Sequence, residues 1–166
     1  MITRVTGRRT PGGLAALVAI SLAAAACGAA PGAQDHTTTA SSPPVEVFFP
    51  KQAEPVKAGY DEAQSGELVR DAEGCLRVRY QGGAVVPLWP PDLEPSVKGD
   101  EVRVLDGEGR TVGRVGAEIS MAGGGIREES LTEDILDRRT KRELLERCPG
   151  AYFLVQEGTV RMPRQG

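Results

Sequence analysis

Chemistry near neutral pH usually starts from histidine, cysteine or paired carboxylates, and this chain is poor in the first two. Its 166 residues include one histidine, His36, and three cysteines, Cys27, Cys75 and Cys148. His36 sits in a run of small residues, threonine and serine, which carries no fixed geometry. The remainder of the chain lacks the imidazole base of Ser–His and Cys–His catalysis. It equally lacks the His or thiolate clusters of ordinary zinc and non-haem iron sites. The reading is therefore of no catalytic residue, no metal site and no cofactor.

Carboxylate chemistry survives that cut. Glu128, Glu129, Glu133, Asp134 and Asp137 form an acidic stretch. Paired carboxylates hydrolyse glycosides or bind calcium. The Asp-x-Asp-x-Asp-Gly spacing of a calcium hand is missing, and acids at a helix start also suit its macrodipole. Gly123-Gly124-Gly125 precedes the stretch, and a glycine-rich loop before a helix can cradle phosphate. No Lys-Ser/Thr follows it, and Glu128 and Glu129 would repel an anion, so it reads as a sheet-to-helix connection. Trp89, beside Pro90 and Pro91 at a strand end, and Tyr80 are the candidates for stacking on a sugar or peptide. A lone tryptophan in a small domain also serves as core.

The first 30 residues carry a different kind of signal. Arg4, Arg8 and Arg9 lead into Leu14–Ala26, 13 residues without a charge, ending in small residues and Cys27. A basic lead, an apolar run and small residues make an export signal. Extended from Gly12 to Ala30, the run approaches the roughly 20 residues of a spanning helix, so an uncleaved anchor is the alternative. Arg8-Arg9 is followed by Thr10-Pro11-Gly12-Gly13, without the followers of a twin-arginine signal, and reads as a generic basic lead.

Ala24-Ala25-Ala26-Cys27 resembles the lipobox of bacterial lipoproteins, with Ala24 standing where that family usually has leucine. The resemblance covers the leader alone. It implies cleavage before Cys27 and lipidation of its thiol. The protein would then be held at the extracytoplasmic face of the cell membrane. With Cys27 so assigned, Cys75 and Cys148 are left as a pair in an oxidising compartment and are expected to form a disulfide. It would close a loop of about 73 residues, a constraint of roughly 4 kcal/mol in the chain-entropy model.

Without the leader, 17 basic and 23 acidic residues leave a net charge of −6. That acidic balance argues against nucleic-acid binding and against adhesion to anionic headgroups. There is no asparagine, so N-glycosylation is excluded. The expected division is a signal peptide over 1–26, a lipid-anchored flexible linker over 27–50 and one small β-rich domain over 51–166.

Within that domain the period is mostly two. Cys75–Tyr80, Ala84–Trp89, Glu101–Leu105, Thr111–Val115 and Ala117–Met121 read as strands, with a brief strand at Glu67–Arg70. Val45–Phe49 reads as a first strand or a docking segment. Ser130-Leu131-Thr132-Glu133 and Thr140-Lys141-Arg142-Glu143 both fit capping boxes, predicting two short helices bent near Thr140. One continuous helix would set Arg138 and Arg142 on the face of Leu131 and Ile135. Tyr152–Val155 and Thr159–Met162 read as a final strand pair. The sum is mainly β: about seven short strands with a helical insertion before the last pair. A small, partly open barrel of the oligonucleotide/oligosaccharide-binding (OB) type is expected, with a sandwich as the second choice.

The expected function is a non-enzymatic binding or accessory module at the cell envelope. Its partners would be the membrane, through the anchor, and an envelope protein, peptide or glycan. The alternatives are a carboxylate-dependent hydrolase of an envelope glycan and a purely structural lipoprotein.

Overall fold

The structure is a computed structural model describing residues 46–57 and 59–163. The chain divides after Ala40. The leader, Cys27, His36 and the linker through residue 45 lie outside the described residues.

Among the described residues there are eight strands: β1 (Glu62–Arg70), β2 (Leu76–Tyr80), β3 (Gly83–Leu88), β4 (Glu94–Lys98), β5 (Glu101–Leu105), β6 (Thr111–Arg114), β7 (Glu118–Ile126) and β8 (Ala151–Val155). One helix, α1 (Arg138–Arg147), lies between β7 and β8. Five strands close a barrel in the order β1-β2-β3-β8-β7, and β4-β5-β6 form a three-stranded sheet. The mainly-β, OB-like expectation holds, with a closed barrel in place of a partly open one. The pair β3–β8 is parallel; the other barrel pairs are antiparallel.

The alternating strands behave as their period requires. In β2, Leu76 and Val78 are buried and Arg77 and Arg79 are not, while Tyr80, on the face of Leu76 and Val78, departs from the pattern and is exposed at the strand's end. β3 and β8 differ, because both of their faces are covered. Val85, Phe153 and Val155 face the barrel core with Leu68, Ile119 and Met121. Val86, Leu88, Tyr152 and Leu154 pack in a second cluster with Leu131, Leu136 and Leu144. Continuous apolar runs such as Val-Val-Pro-Leu and Tyr-Phe-Leu-Val suit strands buried on both sides.

Two strands are longer than their residue types suggest. Glu62–Gly66 is polar, yet it pairs with β7, and Glu67–Arg70 then pairs with β2. Gly66 stands beside this changeover of partners, where any side chain would overlap the carbonyl of Arg79. The glycine run is the second case. Gly123–Ile126 is the end of β7 and pairs with β8. A Cβ on Gly123 would overlap the Leu154 carbonyl and lie 2.8 Å from a ring carbon of Phe153. Gly123 lets two barrel strands close on each other, and the run is part of a strand and not the connecting loop expected above. β4 has no counterpart among the strands expected above, and it contains Pro95. It pairs only with β5, and an edge strand tolerates proline.

The helical region is also corrected. One helix forms in place of two, and neither capping box starts it. Leu131 and Leu136 are both buried. Five residues apart, they would diverge by about 140° on one helix. The chain instead makes a 3-10 turn at Glu128–Ser130, followed by turns bonded to the Thr132 carbonyl. Asp137 caps α1: its Oδ1 accepts from Arg139 N at 2.9 Å and from Thr140 N at 3.1 Å. Arg138 and Arg139 are unfavourable near a helix N-terminus, which makes this cap more important. Thr159–Met162 does not pair with β8 either; Arg161 bridges Ser120 of β7.

The cap has a pH signature. The Thr140 hydroxyl, then the backbone N–H groups, hold the Asp137 carboxyl below its ordinary value of 3.8. A lowered folded pKa stabilises above the unfolded value and is lost as pH falls through the folded one. We therefore expect the start of α1 to fray below about pH 4. Asp137→Ala should cost about 1 kcal/mol at pH 7 and less at pH 2, where the carboxyl loses its charge but still accepts through its carbonyl oxygen. Urea titrations of both proteins at the two pH values test this; an equal difference at pH 2 would show that the charge of Asp137 adds nothing to its cap.

The domain begins earlier than residue 51. Phe48 and Pro50 are buried, and parallel bridges join Phe48 to Cys75 and Lys51 to Trp89. The last residues assigned to the linker are thus part of the domain, in line with the docking-segment reading. Arg147 clasps this segment. Its guanidinium lies 5.1 Å over the Phe48 ring, donates to the carbonyls of Glu46 and Glu73, and pairs with Glu143 at 2.7 Å.

Candidate functional site

The cysteines of the domain meet as expected. Cys75, just before β2, and Cys148, at the C-cap of α1, form a disulfide with Cα atoms 5.8 Å apart. Both are fully buried. Neither is a free thiol, and together they fix the helix to the barrel.

The aromatic candidates part company. Trp89 is 0 % exposed, and Phe49 stacks flat on it with ring centroids 4.9 Å apart. Its indole N–H has no hydrogen-bond partner among the described residues. Trp89 is therefore core and not an open stacking platform, because the docked segment Phe48–Gln52 covers it. Tyr80 is 36 % exposed and folds over its own hairpin turn, its ring 3.0 Å from where a Gly82 Cβ would stand. β3 separates the two residues, about 20 Å of strand at the usual rise. They do not form one site.

The acidic stretch is spread over turns and a cap. Glu133 pairs with Arg138, Glu129 lies 3.7 Å from Arg127, and Asp137 caps α1. Asp137, held below its ordinary value, is the opposite of the raised acid that a glycosidase uses as proton donor. Among the described residues no group of three or more His, Cys, Asp or Glu is placed to hold a metal ion.

What the helical region does build is a groove. Segment 129–133 and the outer face of α1 border an open groove of about 720 Å³. Half-buried Leu145 supplies its apolar surface, the stems of Lys141 and Arg142 extend it, and Leu131 lies buried beneath. Its banks differ in charge. Glu129 and Glu133 line the turn side; Arg138, Lys141 and Arg142 line the helix side, with Glu146 at the end. Two contacts cross it, Glu133 to Arg138 and Lys141 Nζ to the Leu131 carbonyl. Lys141 thereby satisfies a backbone acceptor that the non-helical turn leaves open.

Sequence reasoning missed Leu145 and Glu146. The available signal was the conflict of Arg138 and Arg142 with Leu131 and Ile135 on one helical face. The chain resolves it by breaking the helix, and the break forms the groove. A second cleft of about 680 Å³ lies between Arg103, Arg114 and the chain at Met162-Pro163, but Arg103 is already engaged there by both oxygens of Glu101.

No family model, no curated protein and no solved structure matches this chain. Among the described residues no helix is long and apolar enough to cross a membrane.

Proposed function

We propose that this chain is an exported lipoprotein, fastened to the outer side of the cell membrane through Cys27. Its barrel serves there as a non-enzymatic module that binds an envelope protein, peptide or glycan. The observation that supports the reading best is the buried Cys75–Cys148 disulfide. Such clips persist in oxidising compartments and are rare in the cytosol. An export leader would deliver the chain to such a place. The groove along α1 is the surface we assign to the partner, since half-buried Leu145 stands there among banks of both charges.

Anchoring by acyl chains is strong because each buried CH₂ is worth about 0.8 kcal/mol, and two or more chains hold firmly. Cys27→Ala should therefore move the protein from the membrane fraction to the soluble one and abolish incorporation of labelled palmitate. Undiminished membrane retention of Cys27→Ala would instead mark the leader as an uncleaved helix.

A further inference from the structure

We infer that the Cys75–Cys148 bond is a site of exchange with a dithiol, gated by residues 46–48, which lie over it as a latch. The latch needs neither the anchor nor a partner in the groove, so it stands apart from the function proposed above.

Three observations carry it. First, the bond is fully buried yet close to the surface. Glu73, two residues before Cys75, and Pro149, the residue after Cys148, are both exposed. Second, Phe48 covers it. The bridge between Phe48 and Cys75 sets their side chains on one side of the pairing, and Phe48 belongs to the apolar cluster that holds both cysteines. Third, the cover is lightly fastened. Among the described residues, an isolated bridge ties 46–48 to the barrel, with Phe48 N donating to Gly74 O at 2.9 Å. Arg147 supplies the clasp, donating to the carbonyls of Glu46 and Glu73 with its guanidinium over the Phe48 ring. The firmer ties begin at Pro50, whose carbonyl accepts from Trp89 N, and at Gln52.

Two openings would expose the sulfurs. Lifting α1 would also uncover Leu131, Leu136 and Leu144. Lifting 46–48 gives up one bridge, one clasp and the burial of Phe48, and leaves the barrel intact. The second opening is the cheaper, so exchange proceeds while the domain stays folded. One thiolate of the dithiol attacks a sulfur of the pair, forms a mixed disulfide and releases the other sulfur as a thiolate, which takes up a proton. The second thiol of the reagent then displaces the first. The reagent leaves as a disulfide, and two electrons and two protons have passed to Cys75 and Cys148. The new Cys75 thiol has an acceptor at hand, since the Arg147 carbonyl oxygen lies 3.3 Å from its Sγ. Reduction frees the end of α1 from the start of β2.

The test uses the full chain in detergent, with dithiothreitol as the dithiol. Alkylation and peptide mass mapping follow Cys75 and Cys148 apart from Cys27. Below the unfolding transition the wild-type rate should be independent of urea, because lifting three residues exposes little surface. Arg147→Gln removes the clasp and should speed reduction about tenfold, still without urea dependence. Arg138→Gln, at the other end of α1, should leave the rate unchanged.

A rate that climbs with urea along the slope of global unfolding assigns the opening to the whole domain and overturns the latch. Equal rates for Arg147→Gln and wild type overturn it too. So does a wild-type rate equal to that of the urea-unfolded chain, which would mean that nothing covers the bond. Each of these failures leaves the Cys27→Ala result standing.

Discussion

Removing the Cys75–Cys148 bond is expected to destabilise the domain by about 4 kcal/mol. The bonded residues are 73 positions apart, so the bond denies the unfolded chain a large loop. Against a usual total of about 5–15 kcal/mol, that is a large share. The loss should also be local in character. Cys148 ends α1 and Cys75 leads into β2, so the helix and its turn should loosen from the second apolar cluster first. Leu131, Leu136 and Leu144, all buried there, would then open to solvent. The variant to use is Cys75→Ala with Cys148→Ala. Serine would add two hydroxyls to a site that is fully buried, at about 1–3 kcal/mol each if unbonded. A urea midpoint that is the same with and without reductant would refute the claim. Hydrogen exchange should place the largest loss of protection in 128–148.

Gln52→Leu should cost about 3 kcal/mol although it keeps the shape and adds apolar surface. Gln52 is 3 % exposed. Its amide donates to Leu88 O and to Val155 O, both at 2.7 Å, and its Oε1 accepts from Val56 N at 3.2 Å. Leu88 ends β3 and Val155 ends β8, so one side chain bonds the last carbonyls of two neighbouring strands where their ladder stops. Leucine would remove the Gln52 donor from both carbonyls and the acceptor from Val56 N–H in a dry site, and desolvation outweighs the small hydrophobic gain. Gln52→Glu sharpens the test through its pH dependence. A carboxylate facing two carbonyls resists ionisation, so its folded pKa would rise above the unfolded value near 4.3. A raised folded pKa gives stability below the unfolded value and loses it as pH rises. Gln52→Glu should therefore be least stable at neutral pH and recover towards pH 4, the reverse of the Asp137 effect. Wild-type stability in Gln52→Leu would show that water reaches these carbonyls.

Both predictions concern contacts far apart in sequence, and they differ in how far the residues announced them. Cys75 and Cys148 are an even pair once Cys27 is set aside, and the structure joins them. Gln52 sits between Pro50 and Pro55 in a polar stretch, and nothing local marks it as buried. Trp89 falls between these cases. Its size nominated it for core or for a platform, and only the docking of Phe49 against it decided for core.

Read by itself, the chain determined the short strands with one wet face, the mainly-β class and the pairing expected of its cysteines. These follow from side-chain period and residue type, which act within a few positions. Tertiary structure decided why Gly66 and Gly123 are glycine, why a helix starts at Asp137 and not at Ser130, and where the groove lies. Each of these depends on a backbone or side chain brought alongside from 13 to 31 residues away or from the other side of a cluster: the Arg79 carbonyl, the Leu154 carbonyl, the shared burial of Leu131 and Leu136. Local pattern cannot report such neighbours, because close approach is set by barrel closure and not by the residues on either side.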